Sequence, residues 1–262
     1  MDMFKKFRNE IDSHPEAIYV LNEPLENRFP MHCHDKSQIL LVEGGIAYLN
    51  THDKQYYIPA RHYVWIPPRV DHNIKFNSSS LVIHNIYFMD EEDARHPFYG
   101  KLSIYPVTGV VNEILQLSAS WKGHILPGNW QHELLTTLKH ILPHTSGRPF
   151  SILLPTTEDS RIQDILRYLH NNVSEPLMLP EVAARFGYSV RNLTRLFKQT
   201  LNTSFLQYVK MLKMIKAMEL LLQTEMNVSE VAYEVGYSGI TAFSNTFQQM
   251  LNMRPSDFRL LK

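Results

Sequence analysis

An internal repeat of about 50 residues constrains the fold of this chain more than any other feature. The segment Leu179–Ser189 (LPEVAARFGYS) is matched by Val228–Ser238 (VSEVAYEVGYS) at an offset of 49 residues. Beyond these segments the offset becomes 50, which pairs Phe197 with Phe247, and one extra residue in the second turn explains the change. The repeat predicts two similar structural units in the C-terminal part of the chain.

Each copy has the pattern of two helices joined by a sharp turn. The first helix carries an apolar residue followed by alanine, Val182-Ala183 in the first copy, and a small residue there lets a second helix cross closely. The helix then stops at Gly187 or Gly236, because glycine readily adopts the left-handed conformation that turns the chain. This is the helix-turn-helix arrangement, whose second helix can enter a DNA major groove. One such hairpin can be purely structural, but two matched copies favour DNA binding.

The second helix of the first copy has outward positions that suit DNA, and they are Val190, Arg191, Asn192, Thr194, Arg195 and Lys198. Arg191 and Arg195 are four residues apart and so share a helix face. This set can bond guanine edges and phosphates. Between the copies, Phe205 to about Leu222 is predicted to form one helix about 27 Å long. Such a helix would hold the two reading helices near the roughly 34 Å of one DNA turn.

Charge and composition agree with a DNA-binding C-terminal part. Residues 161–262 hold 12 Lys and Arg against 8 Asp and Glu, a charge of +4, whereas residues 1–160 carry −4. This basic excess is modest and only somewhat favours a nucleic-acid partner. No apolar run follows the first residues and no run is long enough to span a membrane, so we expect no signal peptide and a cytoplasmic protein without a membrane partner. The single cysteine, Cys33, fits a reducing compartment.

The rest of the chain predicts an α+β multidomain protein. Short β-rich runs between residues 18 and 88 indicate an antiparallel sandwich or barrel. Residues 108–143 have helical spacing, and proline-containing residues 143–158 make the best linker. We therefore expect three regions: an effector-sensing domain at 1–107, a helical connector and linker at 108–158, and an all-α DNA-binding domain at 159–262.

Residues from about 161 to 262 resemble the AraC/XylS family of bacterial transcription regulators. The matching motifs are Glu181-Val182-Ala183, Gly187-Tyr188-Ser189, Leu193 to Lys198, Ala217 to Leu221, Val231-Ala232, Val235-Gly236-Tyr237, Phe243, Phe247 and Pro255 to Arg259. The resemblance implies that base contacts fall on Val190, Arg191, Thr194 and Arg195 in the first copy and on Ile240, Thr241, Ser244 and Asn245 in the second.

The second copy departs from the pattern of that family in its charge. Asn245 and Gln248 stand where the family usually has basic residues, and Ser238–Leu251 contains no charge. We therefore predict that the first copy supplies most of the affinity for DNA and most of its salt dependence. The second copy is predicted to contribute polar or methyl contacts.

The N-terminal strand region resembles the two cupin motifs that AraC-type regulators often place ahead of their DNA-binding part. The residues that carry this resemblance are His32-Cys33-His34, Gln38, Gly45 and Pro67 to His72. By the resemblance, a bound metal would have His32, His34, Gln38 and His72 as ligands. Gln38 replaces the anionic ligand with a neutral amide, and Arg61 stands where cupins usually place glycine. We therefore expect no metal and no cofactor.

An effector pocket is the preferred interpretation of these residues, and its predicted lining is His32, His34, Gln38, Tyr48, Trp65 and His72. The alternative is that the histidines pack as ordinary barrel residues. Three functions stay open: a regulator controlled by a small molecule, a cupin-type metal-dependent enzyme with a DNA-binding tail, and a DNA-binding protein with an inert barrel. The expected partners of the regulator are double-stranded promoter DNA, a small-molecule effector, a second copy of the chain and RNA polymerase. Leucine stripes at Ile114-Leu115 and Leu134-Leu138 are either dimer surfaces or intramolecular core.

Overall fold

The computed structural model describes residues 3–22, 29–76, 81–89, 96–150 and 152–261. The chain divides into two compact units. Residues 1–51 and 58–150 form the N-terminal unit, and residues 52–57 and 151–262 form the C-terminal unit. In the described part of the chain, none of the helices combines the length and apolar character that a membrane span needs.

The N-terminal unit is rich in β-structure and carries helices before and after its main strands. Its strands are β1 (Ile18–Leu21), β2 (Ser37–Glu43), β3 (Ile46–Asn50), β5 (His62–Ile66), β6 (Asn73–Lys75), β7 (Val82–Phe88), β8 (Ser103–Pro106) and β9 (Gly123–Ile125), with β4 (Lys54–Pro59) shared with the C-terminal unit. Its helices are α1 (Met3–Asp12), α2 (Gly109–Ser118) and α3 (Trp130–Thr145).

An antiparallel sheet of described strands in the order β8-β5-β2-β7-β1-β9 organises the N-terminal unit. Strand β2 is buried on both faces, because the sheet is covered on both sides. One face, which includes Ile39, Trp65 and Phe88, packs with buried residues of α2 and α3 in one apolar cluster. A separate strand pair joins β3 to β6, with Leu49 opposite Ile74.

The apolar stripes of the connector belong to this core. Ile114, Leu115 and Leu138 are buried within the N-terminal unit, and Leu134 packs at the edge of the same cluster. The interpretation of these stripes as dimer surfaces is therefore wrong for the three buried residues, since they are already covered by their own chain. The interpretation as intramolecular core is confirmed for them.

The opposite face of the sheet carries a second, smaller cluster. Phe7 and Ile11 of α1 pack with Tyr19, Phe29 and Tyr87, and the rings of Phe7 and Phe29 lie 4.6 Å apart. The strand pattern of the sequence did not predict this N-terminal helix. Helix α1 thus gives the second face of the sheet a cover of its own.

The C-terminal unit is helical, and a short strand pair precedes its helices. Strand β10 (Leu153–Pro155) pairs with the start of β4 and packs against helix α7. The helices are α4 (Ser160–Asn171), α5 (Leu179–Arg185), α6 (Val190–Leu201), α7 (Phe205–Gln223), α8 (Val228–Glu234), α9 (Ile240–Leu251) and α10 (Pro255–Arg259). The predicted single helix between the two repeats is confirmed by α7, which has 19 residues.

Candidate functional site

The two repeats fold as two helix-turn-helix pairs, α5 with α6 and α8 with α9. The alanine at the helix crossing is buried in each pair, as are the inward aromatic residues Phe197 and Phe247. Gly187 and Gly236 adopt φ of 72° and 74°, the left-handed conformation that the turn requires. After each glycine the tyrosine amide donates to the carbonyl of the alanine, at 2.8 Å in the first repeat and 2.9 Å in the second. The predicted duplication is thus present in backbone detail.

Helices α6 and α9 are the reading helices predicted from the sequence, and they begin and end at well-defined positions. The Ser189 hydroxyl accepts a hydrogen bond from the Asn192 amide at 3.2 Å and caps the start of α6. Asn202 and Asn252 end α6 and α9 in the left-handed conformation, with φ of 49° and 53°. Each reading helix therefore has a fixed length of 12 residues.

The residues predicted to contact DNA lie on the outer side of these two helices. The buried inner side of α6 includes Leu193, Leu196 and Phe197, and the buried inner side of α9 includes Phe243 and Phe247. Ser244 is half-buried. The other predicted contact residues are exposed, and they are Val190, Arg191, Asn192, Thr194, Arg195, Lys198, Ile240, Thr241 and Asn245. The Arg195 guanidinium donates to the Asn192 side-chain oxygen at 3.4 Å and remains accessible. This surface has the donors and cations that base edges and phosphates require.

Three histidines predicted as site residues meet inside the N-terminal unit. The ring centres of His32 and His72 lie 4.6 Å apart, and those of His34 and His72 lie 5.2 Å apart. The backbones of His32 and His72 form a bridge, with amide-to-carbonyl distances of 2.9 and 2.7 Å. All three side chains are buried, and burial lowers the pKa of each imidazole, most strongly that of His72. These imidazoles are therefore neutral near pH 7.

Backbone carbonyls orient the three rings. The Nδ1 atoms of His32, His34 and His72 lie 2.9, 2.5 and 2.8 Å from the carbonyl oxygens of residues 30, 36 and 70. A neutral imidazole that donates from Nδ1 keeps a lone pair on Nε2. The three Nε2 atoms are therefore hydrogen-bond acceptors within the unit.

A buried amide network adjoins these rings. His34 Nε2 lies 3.0 Å from the Gln38 side-chain oxygen, and the Gln38 amide nitrogen donates to Asn85 Oδ1 at 2.8 Å. A neutral His34 that donates from Nδ1 can only accept at Nε2. If oxygen and nitrogen are exchanged in the Gln38 and Asn85 amides, Gln38 donates to His34 and Asn85 donates to Gln38 at the same distances. His72 Nε2 and Asn85 Nδ2, whose position Oδ1 takes after the exchange, are buried and have no hydrogen-bond partner among the described residues. Such atoms call for a polar partner.

Trp65 lies away from this group. In the register of the sheet, Trp65 is opposite Ile39, whereas the neighbouring Ile66 is opposite Gln38. Adjacent residues of a strand point to opposite faces, so Trp65 faces the cluster with α2 and α3, where its indole nitrogen donates to the Tyr99 carbonyl at 2.9 Å. The structure therefore brings together the three histidines and Gln38 but separates Trp65 from them. Tyr48 is half-buried on β3.

Asn85 and Tyr87 were missed by the sequence reasoning. Both lie on β7, on the face of Gln38, and the Tyr87 ring packs edge-on against His34 at 5.1 Å. The available signal was an asparagine inside the apolar run Leu81–Phe88, since a buried polar side chain in a strand needs a partner.

A metal ion does not fit this group as it is arranged. Among the described residues, no cluster of three or more His, Cys, Asp and Glu side chains is placed to hold a metal ion. His34 Nε2 is directed at the neutral Gln38 amide, so the set also lacks an anionic ligand.

Two family comparisons correspond to the two units. Residues 182–260 match the helix-turn-helix domain family, and residues 17–96 match the AraC-like ligand binding domain family. Together the matches span more than half of the 262 residues. The chain belongs to the AraC family of transcription regulators. This AraC-family regulator combines a DNA-binding helix-turn-helix part with an N-terminal ligand-binding domain.

Individual relatives of this AraC-family regulator match either most of its length or a part of it. The HTH-type transcriptional activator RhaS of Escherichia coli O1:K1 / APEC is 23% identical over 247 residues, which are 88% of this chain and 87% of RhaS. The C-terminal domain of AraT, a response regulator from Geobacillus stearothermophilus, is 30% identical with a TM-score of 0.39, covering 41% of this chain and 89% of that domain. ToxT from Vibrio cholerae is 12% identical with a TM-score of 0.39, covering 93% of this chain and 97% of ToxT.

Proposed function

We propose that this AraC-family regulator binds a specific operator in double-stranded DNA and that a small polar molecule in its N-terminal unit controls this binding. DNA contacts are assigned to the outer residues of α6 and α9, which are Val190, Arg191, Asn192, Thr194, Arg195, Lys198, Ile240, Thr241, Ser244 and Asn245. The Arg and Lys side chains of α6 supply most of the affinity and its salt dependence, because α9 has no charged residue.

One observation carries the effector half of the proposal: His72 Nε2 and one amide atom of Asn85 are buried without a hydrogen-bond partner among the described residues of the domain that matches a ligand-binding family. Leaving a buried polar group unpaired costs about 1–3 kcal/mol. His72 Nε2 is an acceptor, and with the amides exchanged the unpaired atom of Asn85 is Oδ1, a second acceptor. A hydroxyl group donates to either acceptor, so the effector we infer is a small molecule that carries several hydroxyl groups.

The effector site is assigned to His32, His34, Gln38 and His72, with Asn85 added and Trp65 left out. Tyr48, which is half-buried on β3, stays in the proposed lining. We assign no catalytic reaction to these residues. The relatives are named as transcription regulators, and catalysis of the cupin type would need a metal ion that this donor set does not suit.

The remaining assignments concern organisation and partners. We infer an effector-sensing domain at residues 1–107, a connector and linker at 108–158 and a DNA-binding domain at 159–262. The similarity to RhaS, a transcriptional activator, supports activation of transcription with RNA polymerase as a partner. A homodimer and a cytoplasmic location complete the proposal.

The experiment that tests the effector assignment is a ligand screen of the full chain. Sugars, polyols and hydroxy acids are scanned by thermal shift, with apolar carboxylates as the comparison set, and any stabilising compound is added to an operator gel-shift assay. We expect a hydroxyl-rich compound to raise the melting temperature and to change operator affinity. Metal analysis of the purified protein tests the enzyme alternative, which needs an occupied histidine site.

Two variants locate the response. Gln38→Leu removes the amide that links His34 to Asn85 and should abolish the thermal shift caused by the compound. Trp65→Phe alters the opposite face of the same sheet, so it should lower the melting temperature but keep the shift. A shift that survives in Gln38→Leu but disappears in Trp65→Phe would place the effector on the other face.

A further inference from the structure

The two reading helices correspond to each other residue by residue. Helices α6 and α9 have the same length of 12 residues, and each ends at an asparagine in the left-handed conformation. Their buried residues also correspond at an offset of 50, Leu193 with Phe243 and Phe197 with Phe247. Each outer position of α6 therefore has a defined equivalent on α9.

At these equivalent outer positions α6 carries positive charges and α9 carries none. Arg191 corresponds to Thr241, Arg195 to Asn245, and Lys198 to Gln248. Every cation of the α6 surface is replaced by a neutral hydrogen-bonding side chain on α9, and Asn245 and Gln248 are both exposed. The two helices are alike in shape but unlike as readers of base pairs.

The surface of α6 matches guanine. An arginine presents two parallel donors, and guanine offers two acceptors, O6 and N7, in the major groove. Arg191 and Arg195 are exposed one helical turn apart. The Thr194 hydroxyl donates to the Val190 carbonyl at 2.8 Å, which leaves its methyl group to join Val190, itself 44% exposed, in apolar contact.

The surface of α9 matches A·T pairs instead. The Asn245 amide can donate to adenine N7 and accept from its N6 amino group, which is the pairing that asparagine makes with adenine. Ile240 is 43% exposed at the start of α9, and an apolar side chain there suits the methyl group of thymine. No Lys or Arg lies on α9 to pair with guanine O6 and N7.

We propose that the operator is chemically asymmetric, with guanine in the segment read by α6 and A·T pairs in the segment read by α9. Asn245 is the residue that sets adenine specificity. This inference rests on the proposed DNA contacts of both helices.

Selection of bound duplexes from a randomised library by the full chain tests the inference. The selected sequences should contain one segment with conserved guanine and, about one DNA turn away, a segment of conserved A·T pairs. Changing the adenine assigned to Asn245 into guanine should weaken binding by roughly ten-fold to one-hundred-fold.

A change of specificity provides the sharper test. Asn245→Arg should convert one conserved adenine of the second segment to guanine and leave the first segment unchanged. Tyr233→Arg, an exposed position on α8, adds the same charge and should leave both segments unchanged. If Asn245→Arg selects the same sequences as the wild type, the assignment of Asn245 is overturned.

A modified duplex gives a readout that does not depend on a new side chain. Replacing the assigned adenine by 7-deazaadenine removes the N7 acceptor, so wild-type binding should weaken several-fold while Asn245→Ala should be indifferent. Conserved guanine without conserved A·T pairs would refute the inference about α9 alone. Enrichment of no sequence at all would refute the proposed operator recognition as well.

Discussion

Replacing the turn glycine by alanine should destabilise the second helix-turn-helix pair more than the first. Gly187 and Gly236 have nearly equal φ, 72° and 74°, and the left-handed conformation costs a residue with a Cβ about 1–2 kcal/mol. Alanine recovers about 0.4–1 kcal/mol by restricting the unfolded chain. At Gly187 no atom of the described residues lies within 4 Å of an added Cβ. Gly187→Ala should therefore cost about 1 kcal/mol.

Gly236 has close neighbours in addition. An added Cβ would lie 3.1 Å from the Ser174 carbonyl oxygen and 2.5 Å from Lys213 Nζ. The flexible lysine can move, but its hydrogen bond to the Gly236 carbonyl, 3.3 Å long, would then be lost, which costs about 1 kcal/mol. The Ser174 backbone must shift as well. We expect Gly236→Ala to cost about 2–3 kcal/mol in total.

Hydrogen exchange measured by mass spectrometry suits this comparison. All three tryptophans, Trp65, Trp121 and Trp130, lie in the N-terminal unit, so their fluorescence does not report on the turns. Peptides from α7 give the free energy of opening of the C-terminal unit in the full chain. Gly147→Ala is the control, because that glycine has open surroundings and no left-handed φ. Equal losses for the two turn variants, or a larger loss for Gly187→Ala, would refute the reasoning.

Two further predictions concern the DNA surface and the pH dependence of stability. Arg195→Ala should weaken operator binding in gel-shift titrations by about 1–3 kcal/mol. The control Arg167→Ala removes an exposed charge from α4 and should have little effect. Equal effects of the two variants would contradict the assignment of α6. Burial lowers the pKa of His62 to about 4. Between about pH 6.5 and 4 the unfolded chain therefore binds a proton that the native imidazole does not. The free energy of unfolding should decrease by up to about 3 kcal/mol as the pH is lowered through this range. His62→Asn should reduce this dependence of the unfolding free energy on pH, measured by urea titrations followed by tryptophan fluorescence. The control is His144→Asn, at an exposed position. An unchanged pH dependence in His62→Asn would contradict the burial of His62.

The helical part of the fold could be predicted from sequence because its signals are local. The Val-Ala crossing, the turn glycine and the inward aromatic residues all lie within about 20 residues, and each occurs twice. The outer residues of α6 and α9 follow directly once the inner residues are known, since a helix has one fixed period. The exposure of Arg191 and Arg195 was predictable for this reason.

The sensor face was harder to predict because β2 and its neighbours are buried on both sides. Where both faces are apolar, alternation does not reveal which residues share a site, and Trp65 was placed with the histidines although it lies on the other face. Helix α1 covers the face of Tyr87 through contacts between residues far apart in sequence, which no local pattern encodes. His32 and His34 were grouped correctly because residues i and i+2 of an extended chain point the same way.

Effector control requires more than occupation of the histidine site. A ligand that supplies partners to His72 and Asn85 stabilises the native unit, by about 2.7 kcal/mol at one hundred times its dissociation constant, yet this stabilisation does not by itself change the affinity for DNA. Regulation needs a ligand affinity that differs between the free and the operator-bound chain. Linkage makes that difference reciprocal, so the factor by which the ligand changes operator affinity equals the factor by which the operator changes ligand affinity. A compound that raises the melting temperature but has the same affinity with and without operator occupies the site without being the signal.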